Sequence, residues 1–340
     1  MQFDVIIGNP PYQLNDGGGV GSSAIPIYNE FVTEGLKLAP KFLSFIIPAR
    51  WFTGGRDLDK FRERMLNDRR IKILHDYPEA QECFPGVEIK GGVCYFLWSS
   101  SHDGDCTVTR HHGESSTTIS RPLLEEGQDI FIRYNEAIPI LRKIMQFGDQ
   151  SFSDIVSAND PFGFDVREKD SYKRIKPEFS LENNTFENCQ FYYNGWRKNG
   201  IGYVSKVSVR KNNDWIDKFK VLVPKAWGAG NPGRDRVSPF IAEPNSCSTE
   251  TYLVIGPFDS KHSAENAISY INTKFFHFMV SLVKNTQNVM KKAYSFVPLQ
   301  DFTVEWTDAK LYEKYGLSSS EKEVIETMIW PTEGVEGQAT

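Results

Sequence analysis

FDVIIGNPPYQ, residues 3–13, sets the reading of this chain. Valine and isoleucine crowd residues 3–8 and Gly8 ends the run, which predicts a buried strand. Pro10 and Pro11 then have no N–H to donate, so a ladder stops there and the backbone leaves the sheet stiffly. Open α/β sheets bind their ligands at the carboxyl ends of strands. Asn9 offers a side-chain carbonyl at such an end, and Pro10 offers a backbone carbonyl that its own turn does not readily claim. Together they can accept two hydrogen bonds from one exocyclic amine, with the flat ring of Tyr12 beside them. Standing alone, the four residues Asn9 to Tyr12 would equally make a simple turn or a polyproline ligand. The strand before them and the pattern after them favour chemistry.

That pattern alternates strand and helix. Residues 26–39 carry Ile27, Phe31, Leu36 and Leu38 at helical spacing, and residues 42–48 predict a second buried strand. A charged helix over 56–68 follows, with Phe61, Met65 and Leu66 on its apolar side, then strands over 71–77 and 92–98. The alternation predicts an α/β sheet with crossovers. Residues 100–120 are polar and predict a loop with one short strand, and a helix near 134–147 bridges to a second region. Beyond residue 150 short strand-like runs and Asn/Gly turns replace the alternation. Residues 263–283 return to helical spacing, and the last residues, EGVEGQAT, predict a disordered tail.

Composition narrows the classes. The chain has 340 residues, 24% charged and 40% hydrophobic, with a formal net charge of -5, which suits two globular domains rather than a uniformly basic protein. Charge is uneven, however: residues 164–236 hold 15 Lys/Arg against 9 Asp/Glu, so a basic surface belongs to the second half. Five cysteines without a CxxC spacing argue against a disulfide framework or zinc ribbon and for a reducing, cytoplasmic home. No secretory leader pattern and no membrane-length apolar run is present. The histidines, His111 and His112 adjacent and His75, His102, His262 and His277 dispersed, do not build a metal site.

The segment around Asn9-Pro10-Pro11-Tyr12 resembles the catalytic motif of N6-adenine DNA methyltransferases. The resemblance implies that Asn9 and Pro10 bind the N6 amine and that Tyr12 stacks on an adenine turned out of the duplex. IPARWF (47–52) resembles the family's segment at the end of the next strand, and ECFPGVEIKGGVCYFLW (82–98) its later Phe-Pro motif. By that likeness Phe84 faces Tyr12 across the base; the plainer reading is a core or loop aromatic. KNTQNVMKKAYSFVPLQDFTVEW and residues 306–329 resemble the closing parts of type IIG and Eco57I-like restriction-modification methylases. The implied fold is α/β, a partial Rossmann-like methyltransferase sheet followed by an α+β target-recognition domain. The corresponding ranges are 1–150 for the catalytic part, 151–330 for recognition and 331–340 for the tail.

In that family S-adenosylmethionine binds a Gly-rich turn that precedes the catalytic motif. GGGVGSS (17–23) follows the motif and suits a loop over base or DNA, and GAGNPG (228–233) suits a DNA-contacting loop. The expectation is therefore the C-terminal part of a methylase, inactive in methyl transfer alone, with S-adenosylmethionine as cofactor only of the complete enzyme. An unpaired sheet edge and an apolar face follow from it. A partner portion or self-association is expected to cover them.

Residues 190–236 interleave aromatics with bases, as double-stranded DNA recognition requires. Arg197, Lys198, Arg210, Lys211, Lys225, Arg234 and Arg236 are the candidates, with Lys284, Asn285, Gln287, Lys291 and Lys292 as a second patch. An ordinary solvated surface is the alternative for any one of them. The function expected is the adenine pocket and DNA-recognition part of a restriction-modification adenine-N6 methyltransferase. The alternative is a non-catalytic DNA-binding remnant or specificity subunit.

Overall fold

The computed structural model describes residues 3–14, 25–55, 57–164, 179–180, 187–227, 235–284 and 289–329. GGGVGSS, GAGNPG, Arg234, Asn285, Gln287 and the C-terminal tail lie outside the described residues. The chain divides into two compact units, Met1–Ile138 and Pro139–Thr340, and the division falls inside the helix Ala137–Met145.

The first unit is built on six strands: β1 (Val5–Gly8), β2 (Phe42–Pro48), β3 (Ile71–Tyr77), β4 (Val93–Ser99), β5 (Cys106–His112) and β6 (Ser115–Arg121). Their order across the sheet is β1-β2-β4-β3-β5-β6. β1 runs parallel to β2, from Val5 opposite Phe42 to Gly8 opposite Phe45. β4 is antiparallel to β2 and to β3, and β5 is parallel to β3. The α/β expectation is met. The carboxyl ends of β1, β2, β3 and β5 consequently share one edge of the sheet with the amino end of β4.

Helix α1 (Tyr28–Lys37) crosses from β1 to β2 and α2 (Asp59–Asn67) from β2 towards β3. α1 does not bury the face its apolar spacing suggested. Phe31 and Leu38 are exposed, whereas Tyr28, Val32 and Gly35 are buried. Gly35 faces β2 at close range: a Cβ there would stand 2.7 Å from Leu43 Cδ1, which would have to shift. Val32, Leu43, Phe45, Phe61, Met65, Leu74, Phe96 and Val108 join one buried cluster on this face. The alternate residues Ser44, Ile46, Tyr95, Leu97, Ile73 and His75 face the other way and are only half-buried.

Two expectations are corrected. The strand at 3–8 forms as Val5–Gly8, but it is not buried: Val5 is 56% and Ile7 75% exposed. Among the described residues it is an edge strand, paired on one side only. Residues 100–120 are not mainly loop, for β5 and β6 make a seven-pair antiparallel hairpin from Cys106↔Arg121 to His112↔Ser115. Its hydroxyl-rich strands lack the apolar run that marks a core strand, yet Cys106, Val108 and Thr109 are buried.

In the second unit β7 (Asn188–Tyr192), β8 (Gly202–Ser205), β11 (Ser246–Ser248) and the two-residue strand Phe179–Ser180 form a four-stranded sheet. β9 (Phe219–Pro224), β10 (Phe240–Ala242) and β12 (Tyr252–Phe258) form a three-stranded one. The helices are α3 (Ala137–Met145), the single turn α4 (Trp196–Asn199), α5 (Lys261–Ile271), α6 (Lys274–Ser281), α7 (Asp308–Lys314) and α8 (Ser319–Met328). The helical spacing over 263–283 resolves into two helices. Thr273 breaks the run by capping α6, its Oγ1 accepting from the Phe276 N–H at 3.1 Å. The Asp308 carboxylate takes the next orphan donors, the N–H groups of Lys274 and Phe275, at 3.1 and 2.8 Å.

Candidate functional site

Asn9, Pro10, Pro11 and Tyr12 leave the sheet at the shared carboxyl edge. Pro10 is buried, Asn9 and Pro11 are exposed, and Tyr12 is half-buried against the core of the first unit. The Tyr12 carbonyl accepts the Ile27 N–H at 3.2 Å, and the pairs Gln13↔Pro26 and Leu14↔Ile25 zip the following residues to the entry of α1. The turn is thus held at both ends, by β1 before it and by α1 after it. Among the described residues nothing donates to the Asn9 side chain or to the Pro10 carbonyl.

The Tyr12 hydroxyl is buried and without a hydrogen bond among the described residues. Burial pushes the Tyr12 phenol up to about 12, and the nearby thiols of Cys94 and Cys83 add to the rise. Burial, with Cys94 again, raises Tyr28 further. Cys94 is itself held by the Trp51 indole N–H at 3.3 Å and raised by burial. In the IPARWF segment Pro48 ends β2, and Trp51 and Phe52 are buried, the Phe52 ring centre lying 4.5 Å from that of Phe131.

Phe84 sits half-buried just after the turn Ala80–Glu82, its N–H bonded to the Ala80 carbonyl at 2.8 Å. Its neighbour Cys83 acts electrostatically on Tyr12, Tyr77 and Tyr95, which brings the Phe-Pro turn to the same edge as Asn9–Tyr12. Among the described residues no ring contact joins Phe84 to Tyr12.

A latch that spacing alone did not reveal sets this edge. Asp76, 1% exposed, takes two hydrogen bonds from Arg133, at 2.7 Å to Nε and 2.5 Å to the terminal nitrogen. The same guanidinium donates to the Gly91 carbonyl at 2.9 Å. Next along, Gly92 has φ +81°, and a Cβ there would fall 2.0 Å from the Tyr77 carbonyl oxygen. The Ala49 N–H bonds to the Gly92 carbonyl at 3.0 Å. One ion pair and one glycine so fix the ends of β2, β3 and β4 together. The sequence signal was an aspartate inside an apolar strand, HDYP at 75–78. Alongside it Tyr77 stacks on His111 at 4.0 Å and His75 on Tyr95 at 4.4 Å. His75 Nδ1 and His111 Nε2 lie 2.9 Å apart, and burial, then His111, lowers the His75 pKa.

The basic candidates separate by environment. Arg197, Lys198, Arg210 and Lys291 are exposed. Lys211 is exposed but paired with Asp160 at 2.8 Å. Lys225 is engaged by Glu250 and by Asn159 Oδ1. Arg236 is half-buried and lowered in pKa by that burial. Lys284 is buried against Asp235 and under the Trp227 ring at 4.3 Å, so it is a core ion pair rather than a phosphate contact.

Residues 1–84 match the model of the Eco57I restriction-modification methylases. That segment is similar to this family over about a quarter of the chain. The Eco57I-type segment carries Asn9–Tyr12 and ends on Phe84. Over 110 residues the chain is 42% identical to an uncharacterized adenine-specific methylase of Mycoplasma pneumoniae, a match that takes 32% of this chain and about a quarter (26%) of that protein. Among solved structures, the type IIL restriction-modification enzyme MmeI in complex with DNA aligns over 96% of this chain and 52% of its own, at 11% identity and TM-score 0.40. The DrdV–DNA complex aligns over 96% of this chain and 44% of its own, at 12% identity and TM-score 0.37. Among the described residues no helix is long and apolar enough to cross a membrane.

Proposed function

We propose that the first unit supplies the pocket for an adenine turned out of DNA, in a site-specific adenine-N6 methyltransferase of a restriction-modification system. The observation that carries it is the pair of unclaimed acceptors, Asn9 Oδ1 and Pro10 O, at the carboxyl edge of parallel strands beside the Tyr12 ring. Two acceptors on one amine draw its nitrogen towards attack on a methyl donor, and Tyr12 and Phe84 stack on the two faces of the base. No strong base is needed, because the proton can leave after the new N–C bond forms; the catalysis is positioning and electrostatics.

The methyl donor of this chemistry is S-adenosylmethionine, and the described residues do not fit it. Such a donor needs an acid for its ribose and an open glycine turn for its methionine end. At this edge Asp76 is occupied by Arg133, and Gly92 is sealed against the Tyr77 carbonyl. The donor cradle is proposed to come from a further methylase portion, in the same chain or a partner, that pairs with β1. In isolation the described chain is then inactive in methyl transfer and associates through its open edge. The second unit is proposed to read duplex DNA with Arg197, Lys198, Arg210, Arg234, Arg236, Gln287 and Lys291, while Lys211 and Lys225 would reach it only by leaving Asp160 and Glu250. The missing fit to the donor also favours a second reading, a DNA-recognition subunit without methyl transfer of its own, and in either case the site of action is cytoplasmic.

The test is Asn9→Ala at the native locus. The expected outcome is loss of N6-methyladenine at the cognate genomic sites, at least roughly a hundredfold as for loss of an aligned polar group, with DNA binding by the purified variant unchanged. Methylation at the wild-type level would overturn the pocket.

A further inference from the structure

We propose that Arg197 reads a guanine edge in the major groove, and that the hairpin tip Tyr193–Gly200 is the rigid mount that aims it. This rests on the DNA-recognition reading above and adds to it a specific contact. β7 and β8 pair antiparallel, with Phe191 opposite Gly202, so the residues between them form the tip of a hairpin. The tip is closed by its own hydrogen bonds. The Trp196 N–H reaches the Tyr193 carbonyl at 3.2 Å, the Gly200 N–H reaches the Trp196 carbonyl at 2.8 Å, and the Tyr193 hydroxyl donates to the Gly200 carbonyl at 2.8 Å. Gly195 and Gly200, with φ of +92° and +90°, make the two bends that side-chain-bearing residues resist.

The tip is also anchored from below. The Trp196 indole N–H donates to the Tyr252 hydroxyl at 3.0 Å, and its ring packs 5.0 Å from Tyr192 and 5.2 Å from Phe240. Tyr192 and Tyr252 are buried members of the second unit's core. On this base lies the guanidinium of Arg197, 5.6 Å from the Trp196 ring centre and 5.7 Å from that of Phe240. The contrast with its basic neighbours is chemical. Lys206, Lys211, Lys218 and Lys225 are each turned onto a carboxylate, of Asp217, Asp160, Asp259 and Glu250. Among the described residues no carboxylate pairs with Arg197, and rings hold it instead. A guanidinium that rests beside rings and is exposed keeps its N–H donors free of an internal ion pair. Their fork matches O6 and N7 of guanine as two parallel acceptors, which a lysine ammonium does not. Lys198 and Arg210, exposed nearby in sequence on the same unit, take phosphate contacts, which position without specifying.

The experiment is selection of binding sites from a random-sequence duplex library by the wild-type chain, R197K and K198A. The wild type is expected to return a motif containing a required guanine. R197K is expected to keep the other positions and lose preference at that guanine, binding the wild-type motif roughly 5- to 150-fold more weakly with its salt dependence intact. K198A is expected to weaken all sequences alike and to lower the salt slope by about 1. If R197K returns the wild-type motif, the Arg197 assignment is overturned while DNA recognition stands. If the wild type shows no sequence preference, DNA recognition itself fails, and this proposal with it.

Discussion

Asp76 and Arg133 carry opposite charges that are removed from water, and each satisfies the other. Replacing Asp76 by Asn leaves a buried guanidinium without its counter-charge, which costs about 3–5 kcal/mol for a pair of this kind. Urea unfolding of Asp76→Asn is expected to show that loss, and the double replacement of Asp76 and Arg133 by apolar residues is expected to recover much of it. A single variant of wild-type stability would mean the pair does not hold the edge. Gly92→Ala belongs to the same argument, because its Cβ would collide with backbone rather than with a movable side chain. These two positions also mark what was legible. The end of the strand at Asn9–Tyr12 was legible because two adjacent prolines cannot continue a ladder. The latch could not, because its partners lie 57 residues apart and only the fold joins them. The burial of Lys284 was hidden for the same reason, its counter-ion Asp235 being 49 residues away.

At the scale of elements, β1, α1 and β2 were legible because a parallel crossover alternates apolar runs with helical spacing. Which face of α1 packs was not, since Gly35, which faces β2 at close range, carries no apolar side chain to mark it. β1's exposure escaped for a related reason: an apolar strand at an edge has the same composition as one in the middle. In the second unit α6 carries a titration that can be measured. Burial, opposed by the Thr273 carbonyl and aided by the cations of Arg236 and Lys284, lowers the His277 pKa to about 4. The unfolded imidazole takes its proton near pH 6.5, so between that value and about 4 unfolding binds a proton. Stability contributed by the neutral His277 is present above pH 6.5 and is lost as the pH falls through this window, by roughly 3 kcal/mol at its end. Unfolding free energies of wild type and His277→Phe, compared at pH 7 and 4.5, are expected to show a steeper fall for the wild type. Equal slopes would contradict the burial of this histidine in neutral form.

For the whole molecule the open side of the first unit is the governing feature. Phe3, Val5 and Ile7 are exposed at or beside β1, which among the described residues pairs only with β2. Such an edge is a template for another strand. Light scattering of the purified chain at micromolar concentration is expected to show self-association that Ile7→Lys reduces; a wild-type monomer would contradict this. Calorimetric titration with S-adenosylmethionine is expected to give no binding at micromolar concentration, since the described residues offer no donor cradle, and tight binding would show that one exists. The central claim is narrower, that Asn9 to Tyr12 hold an extruded adenine. The direct measurement is the fluorescence of duplexes carrying the selected motif with 2-aminopurine replacing each adenine in turn. The account predicts brightening at one adenine position on binding, lost in Asn9→Ala without loss of affinity. Binding that brightens no position, or brightening that Asn9→Ala leaves unchanged, would contradict it.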